Sequence, residues 1–158
     1  ACSAVFEGEM YVLGGVDADS QDLATVEAFN PETGAWRSLP PMSTPRYGAV
    51  CGVVGGSLIV AGGYNGGCLS SAEAFTPATG WTPLPPMPHD ACFATGCVLN
   101  GRLFVVGGWN SRRLQMWDPA LNEWILKAEL PAVRWGAASV VHEGRIMVIG
   151  GVVDDEVG

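Results

Sequence analysis

The stretch from Ala94 to Gly108, ATGCVLNGRLFVVGG, contains the pattern that decides the fold. A short apolar segment leads into Asn100-Gly101, a dipeptide with a strong preference for two-residue hairpin turns. A nearly continuous apolar run from Leu103 to Val106 follows and ends at the pair Gly107-Gly108. The stretch therefore predicts a β-hairpin whose second strand is covered on both faces.

Three more stretches align with this one without a gap: Ala1 to Gly15, Ala49 to Gly63 and Ala137 to Gly151. All four carry Gly at the second position of the turn, where a positive φ is needed. They end in the pairs Gly14-Gly15, Gly62-Gly63, Gly107-Gly108 and Gly150-Gly151, which lie about 43 to 48 residues apart. A fixed interval of this size predicts a repeat architecture.

The segments between the hairpins share a second pattern. Each complete copy has an aromatic residue two positions before a proline, and a lone tryptophan follows. The copies are Phe29-Asn30-Pro31 with Trp36, Phe75-Thr76-Pro77 with Trp81, and Trp117-Asp118-Pro119 with Trp124. Proline cannot continue a β-ladder, so it should end a third strand. We expect the large rings to fill the gap between neighbouring sheets, which is a structural role.

An apolar strand, a glycine pair, an aromatic residue with proline and a tryptophan, repeated at this interval, resemble the kelch repeat. The resemblance implies an all-β, partial kelch-type β-propeller: three four-stranded antiparallel blades plus the first hairpin of a fourth. The predicted blades cover about residues 1–43, 44–88 and 89–132, with a half blade at 133–158. Family members also carry Glu two residues before the third-strand aromatic. Glu27 and Glu73 match, whereas Gln115 departs, and structural hydrogen bonding is the expected role.

The same resemblance implies a protein-binding module rather than an enzyme, without a cofactor. The chain is similar to the substrate-recognition domains of BTB–kelch and F-box–kelch ubiquitin-ligase adaptors. These would grip an acidic peptide or protein loop and reach a cullin-type ligase through a flanking domain, in the cytoplasm or the nucleus. Two alternatives stay open because the fold hosts many functions. One is an actin-associated or scaffolding kelch protein, and the other is a kelch-fold enzyme such as a galactose-oxidase-like oxidase or a sugar isomerase.

The connections between blades provide the first candidate binding residues. Arg46-Tyr47 and Arg134-Trp135 occupy the same register before the first strand of a blade. In the adaptor family an arginine there lines the channel mouth and grips carboxylates, so the resemblance assigns partner binding to Arg46 and Arg134, with Tyr47 and Trp135 beside them. Guanidinium offers carboxylate a bidentate fork. The alternative is that both arginines form surface or inter-blade ion pairs. The third copy, Ala91-Cys92-Phe93, departs from the pattern.

The loops after the glycine pairs provide the second set. Tyr64-Asn65 and Trp109-Asn110 begin two of these loops, and loops on a rigid scaffold commonly carry recognition. Tyr and Trp combine apolar area with a hydrogen-bond donor, and Asn adds further hydrogen bonds. For Asn65 the alternative is a plain turn, because Gly66-Gly67 follows.

Charge and composition limit the other function classes. A net charge of −8 argues against a nucleic-acid partner, which needs a basic stripe. No apolar run is long enough to predict a membrane span. Neither a nucleophile elbow nor a phosphate loop is present, and His89-Asp90 reads as an exposed loop pair rather than an acid–base pair.

The five cysteines are Cys2, Cys51, Cys68, Cys92 and Cys97. They contain no CxxC, and His89 and His142 lack the spacing of metal ligands, so no metal site is predicted. We expect reduced, mostly structural thiols of an intracellular protein.

Overall fold

Sixteen β-strands form the part of the chain that the computed structural model describes, residues 1–154. The first sheet contains β1 (Cys2–Phe6), β2 (Glu9–Val16), β3 (Asp22–Asn30) and β4 (Ala35–Leu39). The second contains β5 (Val50–Val54), β6 (Ser57–Ala61), β7 (Ala72–Thr76) and β8 (Gly80–Leu84). The third contains β9 (Thr95–Leu99), β10 (Arg102–Val106), β11 (Leu114–Asp118) and β12 (Glu123–Leu126). Each sheet is an antiparallel meander in chain order.

The last four strands are β13 (Val133–Trp135), β14 (Ala138–His142), β15 (Arg145–Ile149) and β16 (Val152–Asp154). β14 and β15 form the predicted hairpin of a fourth blade, while β13 pairs with β16. The predicted fold class, a partial propeller of three four-stranded blades and a further hairpin, is confirmed. Residues 155–158 of the predicted half blade lie outside the described residues.

The hairpin turns adopt the backbone conformation that their sequences predict. In the third blade, Asn100 and Gly101 have φ values of 50° and 70°. The other three turns also have positive φ at both central residues: Glu7-Gly8, Gly55-Gly56 and Glu143-Gly144. Two positive φ values twist the turn in the sense that matches the flanking strands. The repeated Gly is therefore explained by backbone geometry.

The core consists of apolar layers between neighbouring blades. Phe6, Tyr11 and Leu13 of the first blade pack with Leu58 and Phe75 of the second. A separate layer lies between the second and third blades and includes Trp117 and Trp124. Among the second strands of the hairpins, β6, in a blade with neighbours on both sides, is buried over nearly its whole length. Strands β2 and β15 alternate between more and less buried residues, because within residues 1–154 their blades lack one neighbour.

The two seams that join the first three blades also use the predicted tryptophans. The indole Nε1 of Trp81 donates to the Pro40 carbonyl at 2.8 Å, and Nε1 of Trp124 donates to the Pro85 carbonyl at 3.0 Å. Both acceptors belong to the preceding blade, so the ring bridges two sheets as expected. Trp36 is different: its side chain is 53% exposed, because no blade precedes its own within the described residues.

The glycine pairs allow each blade to approach the connection that follows it. The Gly63 amide donates to the Ala91 carbonyl at 2.8 Å, and a Cβ on Gly62 would collide with that same oxygen. The Gly108 amide repeats the bond with the Arg134 carbonyl at 2.9 Å. This contact places the loop after each glycine pair beside the connection between blades. The connections between blades and the loops after the glycine pairs therefore share one face, which we call the loop face.

Candidate functional site

Backbone hydrogen bonds join the two kinds of loop on the loop face. The amides of Tyr47 and Tyr64 each donate to the other residue's carbonyl, at 3.2 and 2.7 Å. One blade further on, the Trp109 amide donates to the Cys92 carbonyl at 2.8 Å. These bonds hold the side chains of the loop face on a fixed frame, which favours recognition by preformed geometry.

Four aromatic rings form a continuous row across the inter-blade connections. The Tyr47 ring centroid lies 5.4 Å from that of Tyr64 and 5.6 Å from that of Phe93. The Phe93 centroid lies 6.3 Å from that of Trp135. All four residues are half-buried. The structure thus brings together three of the predicted binding residues, and it adds Phe93, which the sequence had shown only as a departure.

Phe93 has a backbone conformation that is uncommon for a large side chain. Its φ is +56°, and the aligned residues in the neighbouring connections are glycines with the same conformation, Gly48 at +61° and Gly136 at +63°. The Phe93 amide donates to the Gly48 carbonyl at 2.8 Å, and its carbonyl accepts from the Gly136 amide at 2.9 Å. A bulky residue in this region costs of order 1–3 kcal/mol and tends to occur at functional sites. The phenylalanine in a glycine position was the sequence signal for it.

A cleft of about 390 Å³ opens between the second and third blades on the loop face. Trp109, 57% exposed, and Asn110, with φ of +55°, stand on one wall beside Arg113. Cys68 and Asp90 lie among the other lining residues. The predicted residues Trp109 and Asn110 therefore do line a concave surface.

A second cleft of about 300 Å³ lies on the other side of the same loop. Arg112 and Arg113 line it with Asn110, Glu129 and Val133. Arg112 Nη2 lies 3.2 Å from Glu129 Oε2, with both side chains about half exposed. We call this cleft and the previous one the blade-three clefts. The segment 109–113 separates them, and we call it the blade-three loop. Arg112 and Arg113 carry no signal in the sequence, because loops after the glycine pairs differ in length and do not align.

Arg46 does not reach the loop face. It is 1% exposed, and its Nη1 donates to the Gly62 carbonyl at 2.6 Å. Its Nη2 lies 3.3 Å from Glu73 Oε1, and it also donates to Ser71. This placement corrects the prediction for Arg46 and matches the alternative of an inter-blade ion pair. Burial lowers the pKa of Arg46, and the Glu73 carboxylate opposes that shift.

Arg134 makes the same contact with a glycine carbonyl as Arg46, but its side chain is less buried. Its Nη1 donates to the Gly150 carbonyl at 2.6 Å, which is equivalent to the bond between Arg46 and Gly62. Arg134 is only half-buried, and its amide faces the Ser111 carbonyl in the blade-three loop at 3.4 Å. It therefore lies next to the blade-three clefts.

Asn65 lies in an exposed turn, since its amide donates to the Gly67 carbonyl at 3.0 Å. This geometry fits the turn alternative. His89, considered above with Asp90, is held through its backbone: its amide and carbonyl bond both ends of the Gln115 side-chain amide, each at 3.0 Å. The structural role expected at the Gln115 position is thus present.

The prediction of five reduced cysteines needs a correction. Cys68, in the loop after β6, forms a disulfide with Cys92, in the connection before β9, and their Cα atoms are 5.1 Å apart. The remaining cysteines of the chain, Cys2, Cys51 and Cys97, are free thiols. The two bonded residues lie in a variable loop and a departing connection, so the repeat pattern gave no signal for their proximity.

Within residues 1–154, no helix has the length and apolar character of a membrane span. In the same residues, no three side chains of His, Cys, Asp or Glu are grouped as metal ligands.

Comparisons with known proteins identify the repeat. A family model described as "Kelch motif" matches residues 1–43, 45–88 and 91–131. The chain is 36% identical over 63 residues to an F-box/kelch-repeat protein of Arabidopsis thaliana. It is 38% identical over 76 residues to Kelch repeat and BTB domain-containing protein 12 of Homo sapiens, and 41% identical over 64 residues to Influenza virus NS1A-binding protein of Homo sapiens. Each alignment covers 40% of this chain and 16%, 12% and 10% of the respective relative.

Proposed function

The chain belongs to the kelch-repeat family, and from that membership we propose that it is the substrate-recognition part of a ubiquitin-ligase adaptor. In this proposal the blade-three loop binds an acidic segment of a partner protein. The relatives named above include BTB–kelch and F-box–kelch proteins, which supports protein binding over catalysis. A flanking domain would supply the contact with a cullin-type ligase.

The blade-three loop is the observation that carries the proposal. It separates two clefts and presents an exposed Trp109 beside the consecutive cations Arg112 and Arg113. Only eight residues of the chain are Lys or Arg, against sixteen Asp or Glu, so this local concentration of positive charge stands out. Arg134 is joined to this loop through its backbone, since its amide faces the Ser111 carbonyl, while its guanidinium donates to the Gly150 carbonyl.

The chemistry of these groups fits an acidic segment with an apolar anchor. Trp and Arg are the residue types most enriched at binding hot spots, and a guanidinium can bind a carboxylate through two parallel hydrogen bonds. Arg113 is the better candidate of the pair, because Arg112 already has Glu129 as a partner. The row of half-buried rings from Tyr47 to Trp135 extends the same face with apolar area.

Selection from a displayed library of random peptides tests this site. The immobilised chain is used as bait, and the most enriched peptide is synthesised and titrated against variants. We expect enrichment of Asp and Glu around an apolar residue. Trp109→Ala and Arg113→Ala should each weaken binding about tenfold or more.

The chain offers a matched control for each variant. Trp36 is exposed to nearly the same degree as Trp109 but lies on β4, and Arg145 is exposed at the β14–β15 turn. Trp36→Ala and Arg145→Ala should bind like the unchanged chain. Enriched peptides without acidic residues, or equal losses in the controls, would contradict the site.

The ligase part of the proposal needs a separate measurement. The full-length protein is precipitated from cells and probed for a cullin subunit, in parallel with the segment 1–158 alone. We expect the cullin only with the full-length protein, since the flanking domain carries the contact. Its absence from the full-length precipitate would remove the adaptor role while leaving peptide binding intact.

A further inference from the structure

Innermost strands of neighbouring blades place fixed repeat positions in contact. The second residue of one aligned stretch meets the third residue of the next. Between the third and fourth blades these residues are Thr95 and Ser139, whose hydroxyl oxygens are 2.8 Å apart. Between the second and third blades they are Val50 and Gly96, and a Cβ on Gly96 would collide with the valine side chain.

At the seam between the first and second blades, these two positions are both cysteine. Cys2 lies on β1 and Cys51 on β5, and both are partly buried free thiols. They pack against the same apolar layer. The register that joins Thr95 to Ser139 thus brings two sulfur atoms together across the boundary between the blades.

The pKa values of the two thiols are shifted in opposite directions. The interaction with the Cys51 side chain lowers the pKa of Cys2; burial opposes this shift, and the charges of the amino terminus and of Arg46 add to it. The same interaction, together with burial, raises the pKa of Cys51 well above its ordinary value. Thiolate rather than thiol is the nucleophile, so Cys2 is the residue that reacts first.

We propose that Cys2 and Cys51 form a two-thiol modification site, which a hydroperoxide oxidises to a disulfide that joins the first and second blades. In the first step the Cys2 thiolate attacks one peroxide oxygen, the O–O bond breaks, and Cys2 becomes a sulfenic acid while the other oxygen leaves as water. In the second step the Cys51 sulfur attacks the Cys2 sulfur, the S–O bond breaks, and a second water leaves. Two thiols lose two electrons and two protons, and one hydrogen peroxide is reduced to two waters.

Cys97 provides an internal control for this site. It lies on β9 beside Ser139, not beside another thiol, and burial raises its pKa. Cys68 and Cys92 are already joined. The proposed disulfide would add a covalent link between the first and second blades, so it should raise thermal stability.

The experiment exposes the purified chain to hydrogen peroxide, removes the oxidant with catalase and alkylates the remaining thiols. Peptide mass analysis should show a linked Cys2–Cys51 pair and an alkylated Cys97. The melting temperature should rise by about 5–10 °C. In Cys51→Ser the rise should vanish, and dimedone should trap a sulfenic acid on Cys2. Cys97→Ser should behave like the unchanged chain.

The serine variants should keep the fold, because the seam with Thr95 and Ser139 already contains two hydroxyls. Circular dichroism checks this before oxidation. Two results would overturn the proposal. One is alkylation of Cys2 and Cys51 at peroxide levels that oxidise Cys97, and the other is a lack of dimedone product on Cys2 in folded Cys51→Ser.

Discussion

Arg46 and Glu73 form a buried ion pair across the seam between the first and second blades, with 3.3 Å between Nη2 and Oε1. Their exposed side-chain fractions are 1% and 3%. The equivalent positions at the next seam are Ala91 and Gln115, so the arginine and the glutamate are absent together. The replacements at Ala91 and Gln115 are therefore linked: an arginine or a glutamate buried there alone would be an unpaired charge, which is costly.

The first prediction follows from the replacement of the Arg46–Glu73 pair by Ala91 and Gln115 at the next seam. Arg46→Ala should lower the free energy of unfolding by about 3–5 kcal/mol, since it leaves the Glu73 carboxylate buried without its partner. The double variant Arg46→Ala with Glu73→Gln copies the pair at the next seam and should recover part of that loss. Chemical denaturation of both single variants and the double variant measures the coupling.

Arg145→Ala, at an exposed turn, serves as the control and should change stability little. A double variant that is destabilised by the sum of the two single losses would show that the two side chains are not coupled.

The second prediction concerns the glycine pair of the second blade. Gly62 and Gly66 have nearly equal φ values of 66° and 68°, but only Gly62 has a neighbour where a Cβ would stand, the Ala91 carbonyl oxygen. Gly66→Ala should cost about 1–2 kcal/mol for the backbone conformation alone. Gly62→Ala adds the collision at the seam and should cost clearly more.

Thermal and denaturant unfolding of the two alanine variants compare these costs. Equal destabilisation would mean that the first glycine is needed only for its φ. The close approach of the two blades would then be no part of the reason for the repeat.

The third prediction is a dependence on pH. Arg102 Nε donates to Asp118 Oδ2 at 2.9 Å, and this bond holds the pKa of Asp118 below its ordinary value of 3.8. Because the pKa is lower in the folded state, the interaction stabilises the fold fully above pH 3.8. That stabilisation is lost as the pH falls through the folded pKa.

Urea midpoints measured on lowering the pH into the acid range test this dependence. Asp118→Asn should lose less stability than the unchanged chain over that range, while Glu123→Gln, at an exposed carboxyl of the same blade, should follow it. Parallel curves for Asp118→Asn and the unchanged chain would exclude the contribution of this pair.

Local chemistry explains which features could be predicted from the sequence. Four aligned stretches predicted the hairpin turns, because the turn residues recur at fixed positions. Three copies of the segment that follows predicted the strand ends at proline and the roles of Trp81 and Trp124 for the same reason. The burial of Arg46 depends on Glu73, which is distant in the chain. Its only sequence signal was the joint loss at Ala91 and Gln115, which needs the contact to be interpreted.

The remaining parts of the loop face had weaker signals. Phe93 could have been identified from the sequence, because it is a large residue at a repeat position that is glycine in the neighbouring connections. Its backbone shares the positive φ of Gly48 and Gly136. Arg113 could not have been found in this way, since the loops after the glycine pairs have no common register. The residues of the proposed recognition site therefore lie mainly in segments that the repeat does not constrain.

A charge exchange at Arg113 tests the central claim, that the blade-three loop binds an acidic segment, most directly. The selected acidic peptide and a version with its key carboxylate residue replaced by lysine are titrated against the unchanged chain and Arg113→Glu. We predict that Arg113→Glu loses affinity for the acidic peptide about tenfold or more and regains binding with the lysine peptide. Arg145→Glu controls for net charge. Unchanged affinity of Arg113→Glu for the acidic peptide, or the same loss in Arg145→Glu, would contradict the account.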